Sequence, residues 1–221
     1  MRRVLVLRPE PGASATVARA LELGLDAVPI PLFEVDPVEW DAPDPGKFDG
    51  LLLTSANAVR HGGAQLSKLR GLPVYAVGEA TAEAAREAGF DIAATGDGGI
   101  DRLLQSLEPD LKLLHLSGEE VREPATARQQ LERIVVYRAR AIEALNLSSI
   151  HGAVALIHSA RAAQRFAELV EHRGSIAIAA VSGAALEKAG DGWEAAKAAD
   201  YPTDDALLAL AASLCNTSSP K

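Results

Sequence analysis

"FDGLLLTSANAVRHGG" (residues 48–63) ends an apolar run in small polar residues and then turns Ala-rich, and "AVALIHSARAAQRF" (153–166) does the same. A short unbroken apolar run between turn signals reads as a strand buried on both faces, and such strands belong to parallel sheets covered by helices. Thr54, Ser55 and Asn57, like Ser159, are residue types that cap a helix N-terminus. The repeating unit is therefore strand, cap, helix. Aligning Ser55 with Ser159 sets an offset of 104 residues, which also brings Ala58 onto Ala162, Val77 onto Val181, Glu83 onto Glu187, Asp101 onto Asp205 and Leu104 onto Leu208. "VGEATA" (77–82) and "VSGAAL" (181–186) fall into step as well. Spacing held from Ser55 to Leu104 without a gap marks two copies of one α/β unit.

The same alternation continues on either side. Strands are expected at 3–7, 72–78, 111–116, 133–141 and 175–183. Helices are expected at 12–24 with Ser14 as N-cap, 79–89 closed by Gly89, 101–107, 124–132 with Pro124 in its first turn, 160–174, 184–190 and 202–214. "RRVLVLRPEPGASATVARALE" at the start has a weaker counterpart in "LKLLHLSGEEVREPATARQQL" (111–131). Two assemblies satisfy this pattern. The domains follow in tandem, 1–108 and 109–221, or a continuous middle is one domain and the two chain ends close the other. In the second case "PIPLFEVDPVEW" (29–40) and "IVVYRARA" (134–141) are two adjacent β-rich crossings.

Of 221 residues, 48% are hydrophobic, 24% charged and 4% aromatic, which suits helices packed on parallel sheets. A net charge of −8 argues against general nucleic-acid binding, which draws its affinity from a basic surface. It leaves room for an anionic small molecule in a locally positive cleft. One cysteine, Cys215, excludes an internal disulfide and a cysteine-clustered metal site. The apolar run Val4–Leu7 is too short for a secretion signal, and no window reaches the ~20 apolar residues of a membrane span. A cytoplasmic protein without a membrane partner is expected.

Ligands of open parallel sheets bind beyond the carboxyl ends of the strands. Thr54, Ser55, His158, Ser159 and Ser182 lie at such ends, each before a helix whose free N–H groups and positive dipole end attract carboxylates. Simple capping is the competing reading for each serine. Gly78 and Gly118 permit close backbone approach, and Arg8, directly after the first strand, is a candidate cation. His115 and His158 are candidate acid–base groups, with strand-end packing as the alternative, and Tyr137 in the crossing strand reads as a packing residue. No dinucleotide, P-loop, zincin or nucleophile-elbow motif is present, and the five histidines lack metal-ligand spacing. Neither metal nor cofactor is expected.

"VLVLRP", "FDGLLLTSANAV", "VYAVGEATAEAAREAGF", "VVYRA", "IHSARAAQRF…IAAVSGAALEKAG" and "YPTDDALLALA" together resemble the uroporphyrinogen-III synthase family over nearly the whole chain. The resemblance implies two flavodoxin-like domains joined by a two-stranded β linker with the active site in the cleft between them. It selects the second assembly, with 1–35 plus 142–221 as one domain and 36–141 as the other. It implies closure of linear hydroxymethylbilane to uroporphyrinogen III with loss of water and inversion of the last pyrrole, by a monomer that needs no cofactor. The substrate would come from hydroxymethylbilane synthase. Tyr137 matches the family's linker tyrosine, held to assist loss of the hydroxyl. Arg8, Thr54, Ser55, Thr81 and Ser159 match its substrate-side positions, and Asn57, Gly78, Gly118, His158 and Ser182 join them. The chain departs at His158, at Ala184–Ala185 and at Ser117, where the family carries threonine, threonine and arginine. A non-catalytic binding paralogue is the alternative to an enzyme. An exported sugar- or amino-acid-binding protein is disfavoured by the missing signal.

Overall fold

The computed structural model describes residues 2–216 except 122 and 149. In chain order the elements are β1 Val4–Val6, α1 Gly12–Glu22, β2 Ala27–Pro29, β3 Phe33–Pro37, β4 Gly50–Leu53, α2 Ala56–His61, β5 Val74–Val77, α3 Glu79–Glu87, β6 Ile92–Gly96, α4 Ile100–Ser106, β7 Lys112–Gly118 and β8 Gln130–Ala141. Then follow β9 Val154–Ile157, α5 Ala160–Leu169, β10 Ala177–Ala180, α6 Gly183–Ala189, β11 Ala195–Ala198 and α7 Asp204–Asn216. Two compact units result: Met1–Glu34 with Ala141–Lys221, and Val35–Arg140.

Each unit has its own sheet. In the discontinuous unit the order is β11-β10-β9-β1-β2, all parallel. In the continuous unit it is β3-β8-β7-β4-β5-β6, parallel from β8 to β6. The pairs Leu32–Ile142 and Val38–Val136 run in opposite sense, so β3 lies antiparallel to β8, and the chain passes between units on these two neighbouring strands. The central strands are buried along their whole length. Leu51, Leu52 and Leu53 are completely buried, as are Val154, Ala155, Leu156 and Ile157, and each such leucine is worth ~1.5–3 kcal/mol of burial.

The offset of 104 is structural. It carries Gly50–Leu53 onto Val154–Ile157, the N-cap Ser55 onto the N-cap Ser159, and the first residues of α3 and α4 onto those of α6 and α7. By sheet position β7 corresponds to β1, so the N-terminal strand of one unit is matched by a late strand of the other.

Two local expectations are corrected. Ser14 is not the cap of α1. The helix starts at Gly12 after Pro11, and Ser14 donates both its N–H (3.0 Å) and its hydroxyl (2.9 Å) to the Glu10 carboxylate, which does the capping. No helix forms at 124–132: the strand β8 begins at Gln130 and pairs from there with β7. Two anchors hold the segment before it along α4. The Ala125 N–H bonds Asp101 Oδ1 at 2.7 Å, and the buried Gln129 amide donates to the carbonyls of Leu104, Leu107 and Glu108. These carbonyls lie in the last turn of α4 and just past its end. Gln129→Ala is therefore expected to lose ~1–3 kcal/mol of stability, read as a lower urea midpoint with unchanged m-value.

Candidate functional site

In the continuous unit the strand ends present three groups. Ser55 is extended (φ −153°, ψ 140°) and its Oγ accepts the Asn57 N–H at 3.2 Å, so it caps α2. Gly78 caps α3 with φ +89°, a conformation open to glycine, and no atom lies within 4 Å of where a Cβ would stand. Thr81, in the first turn of that helix, is 5% exposed, and its N–H bonds the Gly78 carbonyl at 3.1 Å.

The third group centres on Tyr137. Along β7 and β8 the register runs Lys112 to Gln130 through Ser117 to Val135, and then Gly118 faces Tyr137. One extra residue in β8 makes this bulge, and bulges re-aim the following side chain. Tyr137 is thereby laid over Gly118. A Cβ on Gly118 would meet Tyr137 Cε2 and Cζ at 2.7 Å and the phenol oxygen at 3.0 Å. The close approach expected at Gly118 is thus to the tyrosine ring. His61 is a ring neighbour of Tyr137, with centroids 6.3 Å apart and planes tilted by 38°, and a cleft of about 500 Å³ bounded by residues 37–41 and 61–65 opens beside His61. Arg133, absent from the sequence reading, fastens this corner: Nε donates to Ser117 Oγ (2.8 Å) and Nη2 to the carbonyls of Gly118 (2.8 Å) and Glu119 (2.6 Å). In place of the arginine that the resemblance implies at Ser117, a guanidinium arrives from the neighbouring strand.

Thr54 Oγ1 lies 3.2 Å from His115 Nε2. His115 is 1% exposed, and burial, helped by the Arg133 charge, pushes its pKa down to about 4. Its folded pKa lies below the unfolded value of 6.5, so the unfolded chain takes up a proton at a higher pH than the folded one. The contribution is complete above about pH 6.5 and drains away between there and about pH 4, to the extent of ~3 kcal/mol. Urea titrations at pH 7 and pH 4.5 should show this loss, and His115→Gln should flatten it.

In the discontinuous unit Ser159 caps α5 by accepting the Ala162 N–H (3.1 Å), and Ser182 caps α6 by accepting that of Ala185 (3.3 Å). The first turns of α2, α5 and α6 carry no acidic residue, whereas α3, α4 and α7 begin with Glu79, Asp101 and Asp204–Asp205. Three serine-capped helix ends therefore keep their positive potential unopposed from within.

Arg8 and His158, distant in sequence, meet on a residue that sequence reasoning passed over. Asp204 Oδ1 is 2.9 Å from His158 Nε2 and 3.6 Å from Arg8 Nη1, and its Oδ2 accepts from the buried Thr16 hydroxyl at 2.9 Å. Arg8 Nη1 donates in turn to Thr16 Oγ1 at 3.4 Å, and Arg19 bridges Asp204 and Asp205. Burial alone would raise the Asp204 pKa. The His158 and Thr16 hydrogen bonds, with the His158 and Arg8 charges, outweigh it and hold the carboxyl below its usual value. Gly12 gives Arg8 its room, since a Cβ there would meet Arg8 Nε at 2.6 Å. Among the described residues no group of three or more His, Cys, Asp or Glu is arranged to hold a metal ion, and no helix is long and apolar enough to cross a membrane.

Residues 14–209 match the family model described as uroporphyrinogen-III synthase HemD. A uroporphyrinogen-III synthase of Chlorobaculum parvum is 34% identical over 101 residues, 42% of this chain and 41% of that protein, so the match spans about two fifths of the relative's length. The crystal structure of uroporphyrinogen-III synthetase from Helicobacter pylori superposes with a TM-score of 0.66 at 21% identity, over 97% of this chain and 100% of that one. A mutant uroporphyrinogen III synthase from Thermus thermophilus gives 0.54 at 17% identity, over 99% and 100%. These two likenesses bear on the fold, a mixed α/β architecture with parallel sheets, and the family match covers most of the sequence. The chain belongs to the uroporphyrinogen-III synthase family.

Proposed function

We propose that this chain closes linear hydroxymethylbilane to uroporphyrinogen III, losing water and inverting the last pyrrole ring. Family membership over residues 14–209 carries the reading, and the local chemistry supports it. The substrate bears eight carboxylates. Serine-capped helix ends without acidic first turns, together with Arg8, suit such an anion better than a lysine-rich surface would on a chain of net charge −8. Spontaneous closure through the free α-carbon of the terminal pyrrole gives the uninverted ring. Inversion instead needs attack by its substituted α-carbon, breaking of the original bridge bond to that carbon and re-forming of the bridge at the free α-carbon, so the protein's task is to hold the substrate for that first attack, which is catalysis by positioning. Tyr137 donates a proton to the departing hydroxyl. Arg8, Thr54, Ser55, Asn57, Gly78, His158, Ser159 and Ser182 line the substrate side, with Thr81 shaping the turn below Gly78.

The protein works as a monomer in the cytoplasm on substrate released by hydroxymethylbilane synthase. Hydroxymethylbilane generated in situ, with chromatographic separation of the products, tests the reading. Type III macrocycle above the spontaneous type I background is the expected result. Type I alone, with substrate still bound, would identify a binding paralogue, the reading that Ala184–Ala185 in place of a threonine favours.

A further inference from the structure

At the end of β7 one side chain holds three consecutive residues. Arg133 stands on β8 opposite His115, and its guanidinium reaches along the strand to Ser117, Gly118 and Glu119. Nε donates to Ser117 Oγ at 2.8 Å, and Nη2 donates to the carbonyls of Gly118 at 2.8 Å and Glu119 at 2.6 Å. The Ser117 hydroxyl donates to the Gly118 carbonyl at 3.0 Å, so that oxygen accepts twice. Nη1 faces the Glu123 carboxylate at 3.4 Å. This is also where the ladder lapses. Val136, the extra residue of β8, falls between the partners of Ser117 and Gly118, and a bulge disrupts the backbone pairing around it. Carbonyls beside such a break need other donors. A planar fork with five N–H groups supplies them in fixed directions, which the single ammonium of a lysine does not.

The same residues seat Tyr137. Its ring lies against Gly118, where a Cβ would come within 2.7 Å of two ring carbons, and its carbonyl accepts the Glu119 N–H at 2.9 Å. Side chain and backbone of the tyrosine therefore both rest on what the guanidinium ties down, all of it inside the continuous unit. We infer that Arg133 is a positioning residue for the closure reaction, fixing the Gly118–Glu119 backing against which the Tyr137 phenol is aimed. Arg133 thus serves the function proposed above, on which this role rests, by acting through the tyrosine rather than on a reacting atom. A reacting group displaced by about 1 Å can lose ~10²-fold in rate. A loosened backing therefore shows in the chemical step and leaves substrate binding largely intact.

The test is Arg133→Ala beside Arg133→Lys, each alone and combined with Tyr137→Phe, assayed with hydroxymethylbilane generated in situ. Lysine keeps the charge and loses the fork. Both single variants should lower kcat for type III product by roughly tenfold or more, with KM little changed and type I product rising. On the Tyr137→Phe background neither change should slow the reaction further, because the two residues act through one group. Labelling with 3-fluorotyrosine gives a second reading that needs no turnover. Of the 3 tyrosines, Tyr75, Tyr137 and Tyr201, only Tyr137 should show a shifted or broadened fluorine signal in the Arg133 variants. Unmoved signals from the other two show that the fold is kept. Full rate in Arg133→Ala, an equal further loss on the Tyr137→Phe background, or an unmoved Tyr137 signal overturns the assignment. A parent protein that forms no type III product overturns it together with the proposed function, and is recognised by the parent assay alone.

Discussion

Tyr137→Phe is expected to lower formation of type III product by about a hundredfold while leaving stability nearly unchanged. The ring, its contact with Gly118 and its neighbour His61 all survive the change. Only the phenolic proton donor goes. Substrate still binds, so spontaneous closure competes with the slowed enzymatic step and type I product rises in the mixture. Chromatographic isomer analysis reads both effects in one experiment, with thermal melts as the control for packing. Thr81→Ala in parallel probes the other candidate on this unit: its side chain is buried, so stability should fall more than isomer selectivity does. If Tyr137→Phe kept full rate and selectivity, the tyrosine would be a packing residue and the acid another group or water.

Gly118→Ala should reproduce much of that loss without touching the phenol. A methyl group at 118 would stand 2.7 Å from two ring carbons of Tyr137, far inside van der Waals contact, so the ring must move. Overpacking of this kind costs ~1–3 kcal/mol, and moving a reacting group by about 1 Å can cost ~10²-fold in rate. The double variant Gly118→Ala/Tyr137→Phe separates the two contributions. If the alanine acts through the phenol, the double variant is no slower than Tyr137→Phe alone, as contacting residues with a shared role are non-additive. Additive losses would mean that Gly118 contributes by some other route.

Much of the architecture was legible because buried parallel strands and serine caps leave strong local marks. "LLLTS" and "ALIHS" yielded both strand ends and both N-caps, and the 104-residue offset carried the match from β4 to α7. The misread segment shows what local propensity misses. "PATARQQLE" has a proline at a plausible first helical position and good helix formers behind it. Yet Gln129 finds three carbonyls at the end of α4, and Gln130 onward finds a ladder on β7. Tertiary partners outbid intrinsic preference.

The Asp204 cluster was hidden for a different reason. Its members lie at positions 8, 16, 158 and 204, joined only by folding. They also break the internal repeat: the counterparts of His158 and Asp204 in the other copy are Thr54 and Ile100. In the continuous unit the strand-end polar group therefore finds its partner within the sheet, as Thr54 finds His115, whereas His158 finds its partner on a helix. Likewise, nothing in "VVYRARA" betrays the bulge that turns Tyr137 onto Gly118, since that depends on how β8 is paired.

The position of β1 in its sheet has a consequence for biogenesis. Val4 pairs with Val154 on one side and Ala27 on the other. A nascent chain therefore emerges with its first strand 150 residues ahead of a central partner, a delay of roughly eight to thirty seconds at ~5–20 residues per second. Residues 35–140 are contiguous and can close their own sheet during that interval, all their parallel partners being already synthesised. Meanwhile the apolar Val4–Leu7 run has only β2 beside it. The order of translation thus separates the halves of this protein into an early, self-sufficient folding unit and a late one. Non-local pairing of the late kind is slow and aggregation-exposed, which makes the stretch before residue 154 the interval in which a holding chaperone does most for the chain.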